Sequence, residues 1–155
     1  MQVVWKASKE LGIGKAVSKK NGKTCIYVVA RYSPAGNNKR TFAENVVKGS
    51  FDKDSYCKEA KTEDRSKGSS KNDDNDSFQQ FHLDAHNKYR KVHSAPSMTL
   101  NSQMSKEAEE YAKKLAKMGD IEHSTKEERN GHGENLAMTC GSEDDLKDDF
   151  ATKDW

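Results

Sequence analysis

Three side chains close together in the sequence have the chemistry of a metal site or of an acid–base pair. His123, His132 and Glu134 fall within twelve residues, and imidazole nitrogens and carboxylate oxygens can ligate a divalent cation or transfer protons. Their spacing does not place the histidines one helical turn apart, as in helical zinc sites, so polar loop residues bonded to the backbone are the simpler interpretation. The alternative is a metal-dependent hydrolase that uses His123 and Glu134 as base and ligand.

The cysteines and serines do not indicate covalent catalysis. Cys25, Cys57 and Cys140 are odd in number and have no CxxC spacing, which argues against a disulfide framework or a thiolate zinc site. No serine has the setting of a nucleophile elbow, and no glycine-rich loop follows a strand to hold phosphate. We therefore expect reduced thiols, and these residues identify no enzyme.

Composition and charge limit the partners of the chain. It has 155 residues, of which 34% are charged and 32% hydrophobic, so its core must be small. The range 1–48 has ten basic and two acidic residues, a net charge of +8, whereas the range 49–155 has a net charge of −6. The basic residues lack interleaved aromatics, so we expect no nucleic-acid partner. Candidates for binding anionic lipid headgroups are Lys19, Lys20, Lys23, Lys39 and Arg40.

The elements that must position these residues begin with a predicted β-hairpin. The segments Gly12 to Val17 and Thr24 to Tyr32 are strand-like, and Asn21-Gly22 between them is a typical turn pair. Both alternating faces of the second strand are largely apolar, which predicts an interior strand that is covered on both sides.

The rest of the chain is predicted to be helices and loops. The range 49–76 is charged and without period, so we expect a disordered linker. A capping box at Ser77 predicts a helix that ends near Val92. A second helix is predicted over Ser102–Met118, with Gly119 as its C′ residue. The remaining predictions are a short strand at Ile121–Ser124, a polar loop at Thr125–Gly133 and a helix at Glu143–Trp155.

Five segments of the sequence resemble a known family. They are AHNKYR (Ala85–Arg90), EHS (Glu122–Ser124), GENLA (Gly133–Ala137), QVVWKASKELGIGKA (Gln2–Ala16) and VVARYSPAGN (Val28–Asn37). Together they are similar to the CAP superfamily, also called the SCP/TAPS or pathogenesis-related-1 family, and to its intracellular, Golgi-associated branch in particular. The resemblance implies an α+β fold, an α-β-α sandwich of CAP type. It also implies structural roles for His86, Asn87, Arg90, Asn135, Tyr32 and Asn37.

The resemblance implies a site and a function as well. The cleft of the family holds two histidines and two glutamates that bind divalent metal in some members, and His123 and Glu134 match one of each. The other two positions are absent, and His132 is only a candidate third ligand, so we expect no cofactor and at most weak zinc binding. The implied function is a non-enzymatic module that binds anionic lipid, a membrane surface or a protein partner.

The order of these segments is reversed relative to the family. The range 1–48 resembles the C-terminal part of a CAP domain, and 77–155 resembles the N-terminal part. The alternatives are a fragment of tandem domains, a truncated gene model or a permuted domain, folded within one chain or as a domain-swapped homodimer. Because the N-terminus has no signal-peptide pattern, we expect an intracellular, Golgi or peripheral membrane location, and an extracellular one for a fragment of a secreted tandem protein.

Overall fold

The computed structural model describes residues 1–20, 22–49, 73–142 and 150–155. Its strands are β1 (Glu10–Lys20), β2 (Lys23–Ser33), β3 (Thr99–Leu100) and β4 (Gly133–Gly141), in the sheet order β3-β1-β2-β4. Its α-helices are α1 (Phe42–Asn45), α2 (Asp73–Val92), α3 (Ser102–Met118) and α4 (Phe150–Asp154), and 3-10 helices cover Gln2–Val4 and Lys39–Thr41. Within these ranges, no helix is both long and apolar enough to cross a membrane.

The predicted hairpin is confirmed, and both of its strands are longer than predicted. β1 and β2 pair antiparallel as far as Lys20 and Lys23. Gly22 has a φ of 72°, in the left-handed region that two-residue hairpin turns use and that glycine adopts most easily. Asn21, the other residue of the predicted turn, lies outside the described residues.

The interior position predicted for β2 is also confirmed. β2 pairs antiparallel with β1 on one side and with β4 on the other. This pairing joins the range 1–48 to the C-terminal part of the chain in one sheet. The sequence does not predict β4, because Ala137 is the only buried residue among its nine and its apolar run covers only positions 136–138.

Helices cover both faces of this sheet. One face packs against α2 and α4, in a cluster that includes Ile13, Val28, Ala30, Phe78 and Ala151. The opposite face packs against α3, in a cluster that includes Tyr27, Val29, Ala108, Ala112 and Leu115. The structure is therefore α+β, with the sheet between two helical layers, and is compatible with the CAP fold.

Two glycines allow α3 to approach the sheet closely. Gly12 and Gly14 of β1 face this helix, and a Cβ atom at either position would overlap Met104 or the backbone of Glu109. Such close approach of a helix to a strand is a recognised reason for glycine inside a strand. The position of α3 therefore depends on these two missing side chains.

The prediction for α3 is confirmed at both ends. The Asn101 side chain caps the helix by accepting a hydrogen bond from the amide of Met104 at 3.1 Å. At the other end Gly119 has a φ of 78°, and its amide donates to the carbonyl of Leu115 at 2.8 Å.

The predicted start of α2 is wrong, whereas its predicted end at Val92 is confirmed. The helix begins at Asp73, so Ser77 lies inside it, and the last four residues of the predicted linker are helical. A tertiary contact supports this additional turn, because the Asn75 side chain donates to Glu109 of α3 at 3.4 Å. Residues 50–72, the greater part of the predicted linker, lie outside the described residues.

Two C-terminal predictions also change. The segment Ile121–Ser124 is not a strand and has no regular secondary structure. Ser124 is its only buried residue, and Ile121 is exposed. The predicted helix at Glu143–Trp155 is present as the short helix α4, while residues 143–149 lie outside the described residues.

The expectation of reduced thiols is wrong for two of the three cysteines. Cys25 of β2 and Cys140 of β4 form a disulfide and lie directly opposite each other in the strand register, with their Cα atoms 4.1 Å apart. The physical reason is the pairing of β2 with β4, which brings together two positions separated by 115 residues. Cys57 lies outside the described residues.

Candidate functional site

The carboxylate of Glu134 is the centre of the candidate site. It projects from the start of β4, and its side chain is only 1% exposed. One carboxylate oxygen accepts from the Ser124 amide at 2.9 Å and from His123 Nδ1 at 2.9 Å. The other accepts from the Ser124 hydroxyl at 2.6 Å. Both oxygens are therefore engaged with the segment that precedes the polar loop.

Two arginines add positive charge around this carboxylate. Arg31 lies opposite Glu134 in the strand register, and its Nη2 is 3.6 Å from Glu134 Oε2. Arg129 places Nη1 3.8 Å from Glu134 Oε1 and donates to the carbonyl of Ser124 at 2.5 Å. These contacts make Glu134 the negative partner of a partly buried polar cluster that fixes the loop against the sheet.

Arg31 also connects this cluster to α3. Its guanidinium lies 5.6 Å from the ring centroid of Tyr111 and 3.7 Å from the carboxylate of Glu107. Burial raises the pKa of the Tyr111 hydroxyl, and the nearby negative charge of Glu134 raises it further. Tyr111 therefore stays protonated and donates to the carbonyl of Glu122 at 2.8 Å.

His132 does not complete a metal site with His123 and Glu134. Its Nδ1 instead faces Glu107, 4.0 Å from the carboxylate oxygen, and makes no hydrogen bond. Among the residues that the structure describes, no group of three His, Cys, Asp or Glu side chains could hold a metal ion. The expectation that His132 could serve as the third ligand is therefore not supported by the geometry.

The geometry of His123 restricts what the pair can do chemically. Because a carboxylate only accepts hydrogen bonds, the Nδ1 of His123 carries the proton that is donated to Glu134. The other ring nitrogen is not engaged by Glu134 and belongs to a side chain that is 64% exposed. In many metal sites a carboxylate accepts a hydrogen bond from the ring nitrogen that does not bind the metal. Here this arrangement offers a metal one imidazole nitrogen, while the carboxylate of Glu134 already accepts hydrogen bonds from His123 and Ser124.

Three of the residues to which the resemblance gives structural roles, Tyr32, His86 and Asn135, form a second, buried polar network. Asn135 donates to the Tyr32 hydroxyl at 3.1 Å, which lies 2.9 Å from His86 Nε2. His86 Nδ1 lies 2.7 Å from the carbonyl of His82, so the proton is on Nδ1 and the Tyr32 hydroxyl donates to Nε2. Burial lowers the pKa of His86 to about 4 and raises the pKa of Tyr32. The network is therefore neutral at neutral pH.

Arg90 of α2 holds the N-terminal segment in place. Its fully buried guanidinium donates to four backbone carbonyls at 2.6 to 2.9 Å, those of Pro96, Val3, Trp5 and Ser8. Burial lowers the pKa of Arg90 to about 10, which leaves it charged at neutral pH.

Asn87 of the same helix holds the segment that leads into β3. Its side chain accepts from the Met98 amide at 2.7 Å and donates to the Met98 carbonyl at 3.2 Å. Asn37, the last of these residues, lies in an exposed turn and has a φ of 59°, a conformation that asparagine tolerates better than most residues.

Sequence reasoning did not identify several residues that organise these networks. The buried side chain of Gln2 accepts from the Gly36 amide at 2.7 Å and donates to the Ser8 hydroxyl at 2.7 Å. The Trp155 indole donates to the carbonyl of Leu136 at 3.0 Å. The sequence gives one indication that Arg31 has a special role, which is its position on an otherwise apolar strand. Its pairing with Glu134 becomes visible only when the register of β2 against β4 is known.

The candidate headgroup-binding residues lie in two groups rather than one. Lys19 and Lys23 are exposed at the turn end of the hairpin, where Lys20 ends β1. Lys39 and Arg40 are exposed in the 3-10 helix after the opposite end of β2. The eleven residues of β2 span about 33 Å, so the two groups belong to different parts of the surface.

The sheet between two helical layers is compatible with the CAP fold. Residues 83–154 match the CAP family, described as the cysteine-rich secretory protein family, and this part of the chain is similar to that family. A curated relative, Golgi-associated plant pathogenesis-related protein 1 of Homo sapiens, is 41% identical over 61 residues. This match covers 37% of the chain and 40% of the length of that relative. No solved structure matches the chain significantly.

Proposed function

We propose that this chain is a non-enzymatic CAP module that binds a membrane surface containing anionic lipid. The observation that carries the proposal is the pair Lys39 and Arg40, which are exposed and form no salt bridge within the described part of the chain. They belong to the range 1–48, which has a net charge of +8. Each basic residue near an anionic membrane contributes about 1 kcal/mol of attraction.

The state of Glu134 supports a non-enzymatic role. A general base must come within hydrogen-bond reach of the proton that it abstracts, whereas the Glu134 side chain is only 1% exposed and is held by Ser124 and His123. The alternative, a metal-dependent hydrolase that uses His123 and Glu134, has less support because zinc enzymes normally provide three protein ligands. Calorimetric titration with zinc tests it, and heat above buffer that disappears in His123→Gln would favour it.

The relation between the two halves of the chain supports a permuted CAP domain. β2 of the N-terminal half pairs with β4 of the C-terminal half, and Arg90 of α2 binds carbonyls near the N-terminus. These contacts lie within one chain. Exchange of the hairpin between two chains, which gives a homodimer, would use the same contacts and is tested below through the disulfide.

Peripheral association with Golgi membranes is the location that we propose. The human relative is named as a Golgi-associated protein, which is compatible with this location. The disulfide between Cys25 and Cys140 favours an oxidising compartment, such as the lumen of the secretory pathway.

Vesicle flotation tests the proposed function. We expect the chain to float with vesicles that contain phosphatidylserine and to remain in the soluble fraction with neutral phosphatidylcholine vesicles. Lys39→Glu with Arg40→Glu should weaken binding by at least tenfold, because two attractive charges become repulsive. The matched control, Lys106→Glu with Lys117→Glu, makes the same change in net charge at exposed positions of α3. Equal recovery with neutral and anionic vesicles, or equal loss in both variants, would contradict the proposal.

A further inference from the structure

We propose that the segment Lys39–Lys48 is the part of the surface that enters the membrane interface, with Phe42 and Val47 in contact with lipid. This inference rests on the proposed function and assigns it to one of the two basic groups. The segment contains three basic residues and one acidic residue around these apolar side chains. Apolar side chains next to lysine and arginine are the chemistry with which peripheral proteins bind anionic membranes.

The segment exposes apolar side chains although its backbone is well anchored. The Lys6 amide donates to the carbonyl of Asn45 at 3.0 Å, and the Ala7 amide donates to the Asn45 side chain at 3.0 Å. His93 Nδ1 lies 2.8 Å from the carbonyl of Val47 and anchors the other end. The backbone is therefore held against both the N-terminal segment and the end of α2.

The Phe42 side chain is only partly buried by its packing against the rest of the protein. One edge of its ring contacts Trp5, with the ring centroids 6.1 Å apart, yet 39% of the residue remains exposed. Val47 is 37% exposed. Trp5 is buried, so it provides a fixed contact on the protein side of the Phe42 ring. An exposed phenylalanine on a fixed backbone loses little conformational freedom when it enters a lipid interface.

Charge identifies a lipid surface as the occupant. Lys39, Arg40 and Lys48 are all exposed and flank the two apolar side chains along the chain, while Glu44 is the only acidic residue among them. Two of the other exposed apolar residues, Phe81 and Ile121, have different surroundings. Phe81 is 41% exposed but has no lysine or arginine within four residues in sequence, and Ile121 lies between Asp120 and Glu122.

Matched substitutions test the inference in the same flotation assay. We expect Phe42→Ser to lower the partition coefficient on phosphatidylserine vesicles by about tenfold, because the apolar surface no longer enters the interface. The control Phe81→Ser, at equal exposure on α2, should bind like the unchanged chain. Val47→Ser provides a second variant that does not touch the packing against Trp5, and Ile121→Ser is its control. Circular dichroism establishes that each variant is folded.

Fluorescence provides a readout that does not depend on affinity. We expect Phe42→Trp to show a blue-shifted emission on anionic vesicles and quenching by brominated lipid, whereas Phe81→Trp shows neither. The native Trp5 and Trp155 give the background, which is measured on the unchanged chain.

The outcomes separate the inference from the proposed function. Failure of the unchanged chain to float with anionic vesicles overturns the proposed function. If it floats but Phe42→Ser and Val47→Ser bind as well as their controls, the inference is overturned and the proposed function stands. The inference is also overturned if the control variants lose as much binding as Phe42→Ser and Val47→Ser. It is overturned as well if brominated lipid does not quench the fluorescence of Phe42→Trp, and this result favours a protein partner for the surface.

Discussion

Cys25 and Cys140 are bonded to each other across the β2–β4 ladder, although 115 residues separate them in the chain. Their Cα separation of 4.1 Å is close to that of a non-hydrogen-bonded antiparallel pair, the position at which opposing side chains lie nearest each other. The bond therefore joins the N-terminal hairpin covalently to the last strand of the sheet.

We predict that this bond is intramolecular and stabilising. Peptide mapping without reductant should link the peptides that contain Cys25 and Cys140 in material that runs as a monomer. Cys25→Ser with Cys140→Ser should lower the free energy of unfolding by about 2–4 kcal/mol, because a long loop of the unfolded chain is no longer closed. Urea denaturation measures the change.

The control for this prediction is Cys57→Ser, which keeps the bonded pair. A covalent dimer that reductant converts to monomer, and that links Cys25 of one chain to Cys140 of another, would show that the hairpin is exchanged between chains. Equal stability of the double variant and the control would show that the bond contributes nothing.

A second prediction concerns the buried guanidinium of Arg90. We expect Arg90→Lys to lower the free energy of unfolding by about 3 kcal/mol or more, because an ammonium group cannot match the planar fork that serves four separate carbonyls. Urea denaturation at neutral pH gives the value. The matched change at an exposed site, Arg40→Lys, should alter stability by less than about 0.5 kcal/mol. Similar values for the two variants would refute a central role of Arg90.

A third prediction follows from the low pKa of His86. Burial lowers it from 6.5 to about 4, so between these two values the unfolded chain binds more protons than the folded chain. Stability must then fall as the pH decreases from 6.5 towards 4, and His86 adds no pH dependence above that window. The expected loss at pH 4 is about 3 kcal/mol from this residue.

Variants at two histidines check the assignment. His86→Gln should lower stability at pH 7 but flatten its dependence between pH 6.5 and 4, as measured by urea denaturation across this range. His93→Gln, at a half-buried position just after α2, should retain the steep dependence of the unchanged chain. An equally steep profile in His86→Gln would assign the effect to another group.

A fourth prediction concerns the contact between β1 and α3. We expect Gly14→Ala to lower the free energy of unfolding by about 2–3 kcal/mol, because the added methyl group overlaps the backbone of Glu109. Gly22→Ala is the matched control: nothing lies within 4 Å of its Cβ position, and its cost of about 1 kcal/mol comes only from the positive φ. Thermal unfolding compares them. Equal stability would mean that α3 can move away from the sheet.

Local patterns were sufficient for the hairpin and for α3. The apolar alternation of β2, the glycine in its turn and the cap residues of α3 act within a few residues, so each could be identified from neighbouring sequence. The start of α2 was missed because its first turn is supported by a contact of Asn75 with another helix. β4 was missed because an edge strand with one buried residue has little apolar signal.

The sequence by itself determined the family motifs, the charge difference between the two halves and the candidate pair of His123 and Glu134. Only the tertiary structure decided that Cys25 meets Cys140, that Arg31 lies beside Glu134 and that His132 faces Glu107 instead of the pair. The reason is physical: strand register and helix packing set these distances, and they arise from contacts between residues that are far apart along the chain.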